Sequence, residues 1–108
     1  MAIRIKQGDE YSLPVLIRLN GEPVDVSEVA EVEFTLGNGV RKTFPQEVQY
    51  NSADGCFYLP LTQEETFAFP ANGSVTLDIR VKFAGGNVIG VQRMESIAVA
   101  DASSEVIL

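Results

Sequence analysis

The stretch SVTLDIRVKFAGGNVIGVQ, residues 74–92, decides the fold. Its first part places apolar side chains at every second position, namely Val75, Leu77, Ile79, Val81 and Phe83. This alternation predicts a strand with one face in the core and a second face, bearing Asp78, Arg80 and Lys82, that is solvated or faces a partner. The turn residues 85–87 and a second apolar run then predict a hairpin. The alternation loses its phase at Gln92–Met94, where we expect a β-bulge.

Alternating apolar rows recur along the chain and predict further strands. The inward rows are Tyr11, Leu13, Val15, Ile17 and Leu19; Val32, Phe34 and Leu36; and Phe57, Leu59 and Leu61. Turns are predicted at Asn20–Gly21, at residues 37–39 and at Asp54–Gly55, because these residue types tolerate positive φ. Residues 40–44 and 47–50 read as short strands separated by Pro45. Pro14 cannot donate a ladder hydrogen bond, so its strand is predicted to lie at a sheet edge or to carry a bulge.

Helix is scarce in this pattern. Thr62 and Glu65 form a capping-box signal, which predicts one or two helical turns from Gln63 toward Phe67. A similar signal formed by Asp25 and Glu28 predicts one turn. The stretch quoted first, which begins at residue 74, and residues 88–99 complete the set of strands as a long final hairpin. We therefore predict a single domain over residues 1–108, an all-β antiparallel sandwich of about seven strands with one short helical turn, and a small barrel is the alternative.

Composition excludes several classes of function. The chain has 15 acidic and 8 basic residues, a net charge of −7, and its closest basic pair is Arg41–Lys42, so nucleic-acid binding is not expected. It has one cysteine and no histidine, which rules out an intrachain disulfide and the usual Cys/His zinc sites. No stretch approaches the ~20 apolar residues of a membrane span. Residues 1–13 lack the features of a secretory signal, so we expect synthesis in the cytoplasm.

Candidate chemical groups are all assigned simpler roles. Carboxylates cluster at Asp9–Glu10, at Glu28, Glu31 and Glu33, and at Glu64–Glu65, but caps, turns and outward strand positions account for them. A calcium loop centred on Gly55 would need carboxylates at Tyr50 and Leu61, so that pattern fails. Cys56 has no neighbouring base in the sequence and is predicted to be an inert thiol. The prediction is a protein without catalytic residues, cofactor or metal; a hydrolase that uses a carboxylate pair is the enzymatic alternative.

The remaining candidates concern the surface. Tyr58 is the one aromatic residue clearly on an outward phase, which leaves a glycan-binding module as an alternative function. Asn72-Gly73-Ser74 matches a glycosylation pattern, but a turn explains it more simply. The chain ends on Val106, Ile107 and Leu108, which either complete a sheet or dock on another subunit. A strand edge left open by a short neighbour is predicted to accept the backbone of a partner.

A family resemblance begins at IRIKQGDEYSLPVLIRLNGEPVDVSEVAEVEFTL, residues 3–36. The order of a strand, a QGD corner, an alternating strand, an NG turn, a PVDV step and another strand resembles small all-β proteins of phages and prophages of Gram-positive bacteria. In particular it resembles the N-terminal immunoglobulin-like domain of baseplate upper proteins and related tail proteins. The tryptophan and cysteine pair of antibody domains are absent, so this likeness is architectural.

The resemblance implies a structural protein of the virion. Such proteins attach to other tail or baseplate subunits, with self-association as a further option, and the resemblance brings no catalytic residues. Baseplate proteins of this kind usually continue into a coiled coil or receptor-binding region, which favours an accessory or connector role for this sequence over receptor binding. We therefore expect a non-enzymatic module located in the virion that acts by protein–protein contact, without binding nucleic acid or inserting into a membrane.

Overall fold

A computed structural model describes residues 3–19, 21–37, 39–91, 95–102 and 107. The described part contains eleven strands: β1 (Ile3–Lys6), β2 (Tyr11–Val15), β3 (Arg18–Leu19), β4 (Glu22–Pro23), β5 (Val29–Leu36), β6 (Val40–Phe44), β7 (Gln49–Asn51), β8 (Cys56–Leu61), β9 (Ser74–Phe83), β10 (Val88–Gly90) and β11 (Glu95–Ala100). One short helix, α1 (Gln63–Phe67), follows β8, and a 3-10 turn covers Val26–Glu28. The predicted mostly-β character is confirmed.

The strands form two sheets and one small strand pair. The larger sheet has the order β1-β11-β9-β5-β6, and the smaller sheet has the order β2-β8-β7. The two-residue strands β3 and β4 pair with each other around Gly21, whose φ is +82°. In the larger sheet, β10 and β11 both lie beside β9 on the side away from β5, because Val81 pairs with Ile89 and Val32 while Leu77 pairs with Glu95 and Leu36.

The prediction of a purely antiparallel architecture is wrong, because β1 runs parallel to β11. Their register joins Ile3 to Ile97 and Lys6 to Ala100. No hairpin constrains this pair, since almost the whole chain lies between the two strands. After β1 the chain crosses to the smaller sheet at Gly8, whose φ is +89° and whose hypothetical Cβ would lie 2.9 Å from Phe67 Cζ. A glycine is therefore needed at this corner.

The predicted final hairpin is divided in the structure. Its first part is the pair β9–β10, and the chain then continues beside the other half of β9 as β11. The bulge predicted at Gln92–Met94 lies outside the described residues. Prolines and turns also break other predicted runs, so the structure has more and shorter strands than the seven that alternation predicted.

The two sheets bury their apolar rows in one shared core. Phe57 of the smaller sheet is fully buried, and its ring centroid lies 5.9 Å from that of Phe34, 5.1 Å from that of Phe44 and 4.9 Å from that of Tyr50. The first two partners belong to the larger sheet, so these rings hold the sheets together. Burying one such side chain contributes about 1.5–3 kcal/mol.

Tyr11 is a correction to the predicted inward rows. Leu13, Val15 and Ile17 are buried as predicted, but Tyr11 is 39% exposed. It stands at the first position of β2, opposite Leu61, at the rim of the smaller sheet. A tyrosine at a rim keeps its hydroxyl in water while its ring covers apolar neighbours. Partial burial, helped by the negative charge of Asp9, raises the pKa of Tyr11.

Both short helical signals are confirmed. Thr62 Oγ1 accepts a hydrogen bond from Glu65 N at 3.1 Å, and Glu65 Oε1 accepts one from Thr62 N at 2.9 Å, which completes the capping box. Asp25 Oδ1 accepts from Ser27 N at 3.0 Å and caps the 3-10 turn. In the described part of the chain, no helix is long and apolar enough to cross a membrane.

Candidate functional site: two opposite sheet faces

The outer face of the smaller sheet carries no charged side chain. We call it the uncharged face and define it by Ser12, Pro14, Leu16, Gln49, Asn51, Cys56, Tyr58 and Pro60. These side chains alternate with the buried rows of β2 and β8, so they must point away from the core. Leu16 is 45% exposed and its Cδ1 lies beside the Gly55 turn. The face is therefore partly apolar and open to solvent.

Tyr58 lies near the middle of the uncharged face. It pairs with Pro14 on one side and with Gln49 on the other, and Pro60 follows it on the same face of β8. Its hydroxyl donates a hydrogen bond to a carboxylate oxygen of Asp54 at the edge of the face. This bond raises the pKa of Tyr58 and lowers the pKa of Asp54. Tyr58 therefore has one proline as its cross-strand neighbour and a second proline two positions along its own strand, and its hydroxyl is held by Asp54.

Cys56 lies on the same face without a base beside it. Burial, together with the charge of Asp54, raises the pKa of its thiol. The Sγ atom lies 3.8 Å from the carbonyl oxygen of Asp54, to which it donates. A protonated thiol is the less nucleophilic form. The surroundings of Cys56 therefore do not activate it.

The outer face of the larger sheet has the opposite character. We call it the charged face and define it by Arg4, Lys6, Glu31, Glu33, Arg41, Asp78, Arg80 and Lys82. Its five basic and three acidic residues give a formal charge of +2, whereas the remaining three basic and twelve acidic residues of the sequence carry −9. The protein is therefore electrostatically polar, with its basic residues concentrated on one sheet.

Glu33 is the centre of the ion pairs on the charged face. Its Oε2 lies 2.6 Å from Arg41 Nε, and its Oε1 lies 2.7 Å from the terminal nitrogen of Arg80. The hydrogen bonds from Arg80 and then Arg41 lower the pKa of Glu33. The register explains the cluster, because Glu33 pairs with Thr43 on β6 and with Arg80 on β9.

The acidic clusters singled out in the sequence do not converge on one site. Asp9 Oδ2 accepts from Lys6 N at 3.0 Å, and Glu10 Oε1 accepts from Gln63 N at 3.2 Å. Glu65 Oε2 lies 3.1 Å from Lys42 Nζ. Within the described ranges, no group of three or more His, Cys, Asp or Glu residues is placed to hold a metal ion.

An open cleft lies at one end of the molecule, where α1 meets the ends of β5 and β9. Its volume is about 880 Å³, and its lining includes Thr35, Thr62, Glu64, Phe69, Thr76 and Asp78. Every buried polar side-chain atom in the described part of the chain has a hydrogen-bond partner. No buried, unsatisfied side-chain group therefore points into this cleft, and no sequence pattern predicted it.

Of the last three residues, Val106, Ile107 and Leu108, the structure describes Ile107. Ile107 is 52% exposed and lies near Gln7, Glu64 and Phe67 around a shallow pocket. Val106 and Leu108 lie outside the described residues, so the choice between docking on the chain's own sheet and docking on another subunit stays open.

Comparison with known proteins gives no family assignment: no family model matches the chain, and no curated protein is significantly similar to it. The likeness of residues 3–36 to phage tail proteins therefore stays a prediction. The outward position of Tyr58 followed from the alternation of β8. The assembly of Tyr58 with Pro14 and Leu16 did not, because it depends on which strands pair.

Proposed function

We propose that this chain is a non-enzymatic interaction module with an immunoglobulin-like β-sandwich fold, and that it serves as a tail or baseplate component of a phage or prophage virion. It acts by contact between its uncharged face and an uncharged surface of another protein subunit. The observation that carries this proposal is the absence of charged side chains among the eight residues of that face. Two sheets over one core support the sandwich, and the sequence resemblance supports the virion.

The physical argument is the cost of desolvation. Covering an unpaired charge is expensive, whereas proline, leucine and the ring of tyrosine gain free energy when they leave water. Tyr58 has the residue type that most often anchors an interface, with an apolar ring and a hydroxyl already hydrogen-bonded to Asp54. The two prolines beside it lose little conformational entropy on binding. A partner surface without charges fits this face best.

The test combines the gene context with binding. The gene is expected among tail or capsid genes, and the products of its neighbours are mixed with the chain and followed by size-exclusion chromatography with light scattering. Leu16→Glu places one charge on the uncharged face and is expected to weaken the complex by roughly tenfold or more, or about 1.4 kcal/mol. The free energy of unfolding of the Leu16→Glu variant should differ from that of the wild type by only about 0.5 kcal/mol, as for other surface substitutions.

Ala98→Glu is the matched control. Ala98 is an exposed apolar residue on the outer side of β11, opposite Arg4 of β1. It receives the same new charge on the other sheet and should leave the complex unchanged. Equal binding of wild type and Leu16→Glu, or a gene far from any virion genes, would overturn the proposal.

A second candidate function is glycan binding, which one observation favours. The ring of Tyr58 lies beside Gln49 across the strand pair, and Asn51 and Asp54 lie on the same hairpin. An aromatic ring next to amide and carboxylate groups is a composition that suits sugar hydroxyls. Binding of the isolated chain to a glycan array, lost in Tyr58→Ala, would favour this function over subunit contact.

A further inference from the structure

The strand β10 leaves one of its long edges unpaired. In the described part of the chain, β10 pairs with β9 alone. Asn87 O accepts from Phe83 N at 2.8 Å, and Ile79 O accepts from Val91 N at 2.9 Å, so residues 87, 89 and 91 direct their backbone groups toward β9. In an antiparallel ladder the residues between them direct their N–H and C=O groups the other way. Val88 and Gly90 therefore present backbone donors and acceptors to an added strand.

Two other sheet edges of this protein, β2 and β6, are protected against such pairing. Pro14 sits in the edge strand β2 opposite Tyr58, and its missing N–H removes a donor from that edge. On the edge strand β6, Lys42 occupies a core-facing position and its ammonium pairs with Glu65 at 3.1 Å. Both devices are known defences of edge strands.

The edge of β10 has neither of these protections. Its residues are Val88, Ile89 and Gly90, with no proline and no charge. Val88 is 56% exposed and Ile89 is 43% exposed. A short apolar edge without proline or charge, beside edges that have one or the other, is the expected appearance of a strand-addition site.

The flanking residues define what an added strand should contain. Ile89 pairs with Val81, so the side chains next to Ile89 would extend the apolar, core-side row. Val88 and Gly90 pair with Lys82 and Arg80, so the side chains next to them would lie on the charged face. Glu33 binds Arg80, whereas none of the ion pairs found among the described residues involves Lys82. Acidic side chains on the outer row of the added strand would complement the positive charge of Lys82.

The same charges disfavour a second copy as the occupant. Pairing β10 with its own copy would put Arg80 and Lys82 of both copies in the outer rows of one sheet, with only Val88 and Gly90 between them and no acidic side chain from β10. We propose that the free edge of β10 binds an extended segment of another protein in which acidic and apolar side chains alternate. This site uses the larger sheet and is independent of the uncharged face.

The probe is a short blocked peptide of alternating valine and glutamate, with a valine–lysine peptide of the same length as its control. Amide hydrogen exchange of the full chain, read by NMR, should slow at Val88 and Gly90 when the glutamate peptide binds. Its affinity should exceed that of the lysine peptide by roughly tenfold, and added salt should reduce the difference. Equal binding of the two peptides, or no protection at these two amides, would overturn the proposal.

Two variants test the geometry separately. Val88→Pro removes an outward N–H while leaving the bonds of Ile89 to β9 in place, so it should abolish peptide binding. Lys82→Glu should reverse the preference toward the lysine peptide, and it carries the test if Val88→Pro does not fold. Unchanged binding in Val88→Pro contradicts the proposal. A dimer that Val88→Pro disrupts, without peptide binding by the wild type, would show that the occupant is a second copy and contradicts it too.

Discussion

The outer faces of the two sheets differ in chemistry although both cover the same core. The charged face of the larger sheet has eight charged residues with Glu33 at the centre of two ion pairs, whereas none of the eight residues of the uncharged face is charged at neutral pH. Alternation alone requires only that outward positions tolerate water, and both sets of residues satisfy that requirement. The fold therefore does not require the difference between the two faces.

The two faces also differ in the free energy that it costs to cover them. Exposed ion pairs contribute about 0–1 kcal/mol each, so the Glu33 cluster adds little to stability. Its effect is to keep the larger sheet hydrated, because covering it would desolvate several charges. The uncharged face lacks that penalty, and Tyr58, Leu16 and the two prolines can be covered at low cost. Charge placement thus distinguishes the face that stays in solvent from the face that is available for contact.

The largest effect should come from the core that both faces share. Phe57 packs against rings from both sheets, so Phe57→Ala should lower the free energy of unfolding by about 3–5 kcal/mol. Tyr58→Ala, at the next position on the outer side of the same strand, is the control and should cost far less. Urea denaturation measures both. Similar losses from the two substitutions would contradict the assignment of Phe57 to the core and Tyr58 to the surface.

Alternation predicted the interior of this protein well. The rows of β5 and β8, and the row of β9 from Val75 to Val81, are buried as their periodicity required, whereas Phe83 at the end of β9 is partly buried. A one-residue error in phase would expose every apolar side chain on a strand. Capping signals at Thr62 and Asp25 were equally informative, since both act within four residues. These features are local, and local chemistry can be read directly from a sequence.

Pairing between distant strands was the part that the sequence could not supply. Nothing in residues 3–6 indicates that β1 lies parallel to β11 rather than antiparallel to it. The unpaired edge of β10 and the set of residues beside Tyr58 also depend on which distant strands pair. Tyr11 shows a related limit, because alternation gives the direction of a side chain but not whether a neighbouring element covers it.

An intermediate effect is expected where the larger sheet is joined to α1. Burial tends to raise the pKa of Glu65, but hydrogen bonds from Thr62 and Lys42 outweigh it and the pKa is lowered. This carboxylate therefore stabilises the fold above its unfolded pKa of about 4.3, and the contribution is lost as the pH falls through the folded pKa. Glu65→Gln keeps a side chain that can complete the capping box.

The expected cost of Glu65→Gln at neutral pH is about 1 kcal/mol, since a charge-assisted bond with Lys42 is replaced by a neutral one. Urea denaturation at neutral pH and again below the folded pKa gives the comparison. The difference between variant and wild type should shrink at the acidic pH. A constant difference would assign the loss to the helix cap instead of the ion pair. Unlike the exposed Glu33 cluster, this pair is mostly shielded, which is why its effect should be measurable.

The smallest effect concerns the single ionisable phenol on the uncharged face. The hydrogen bond to Asp54 is the main cause that raises the pKa of Tyr58, because a phenolate would face a carboxylate. The bond therefore stabilises the fold fully below the unfolded pKa of about 10 and loses this effect as the pH rises through the folded pKa. Asp54→Asn should return the titration of Tyr58 toward its ordinary range. At neutral pH the amide oxygen can still accept from the hydroxyl, so the loss of stability should be smaller than that of Glu65→Gln.

The titration of Tyr58 in the wild type and in Asp54→Asn is followed by the absorbance of the tyrosinate form across the alkaline range. Because the chain has three tyrosines, Tyr58→Phe identifies which part of the titration belongs to Tyr58. Tyr11 is an internal control, because burial is the main cause that raises its pKa and Asp54 is not among the causes. A shift of Tyr11 with Asp54→Asn would mean that the substitution disturbs the smaller sheet as a whole. An unchanged Tyr58 would mean that its hydroxyl is free, and a free hydroxyl would make the uncharged face more polar than subunit contact requires.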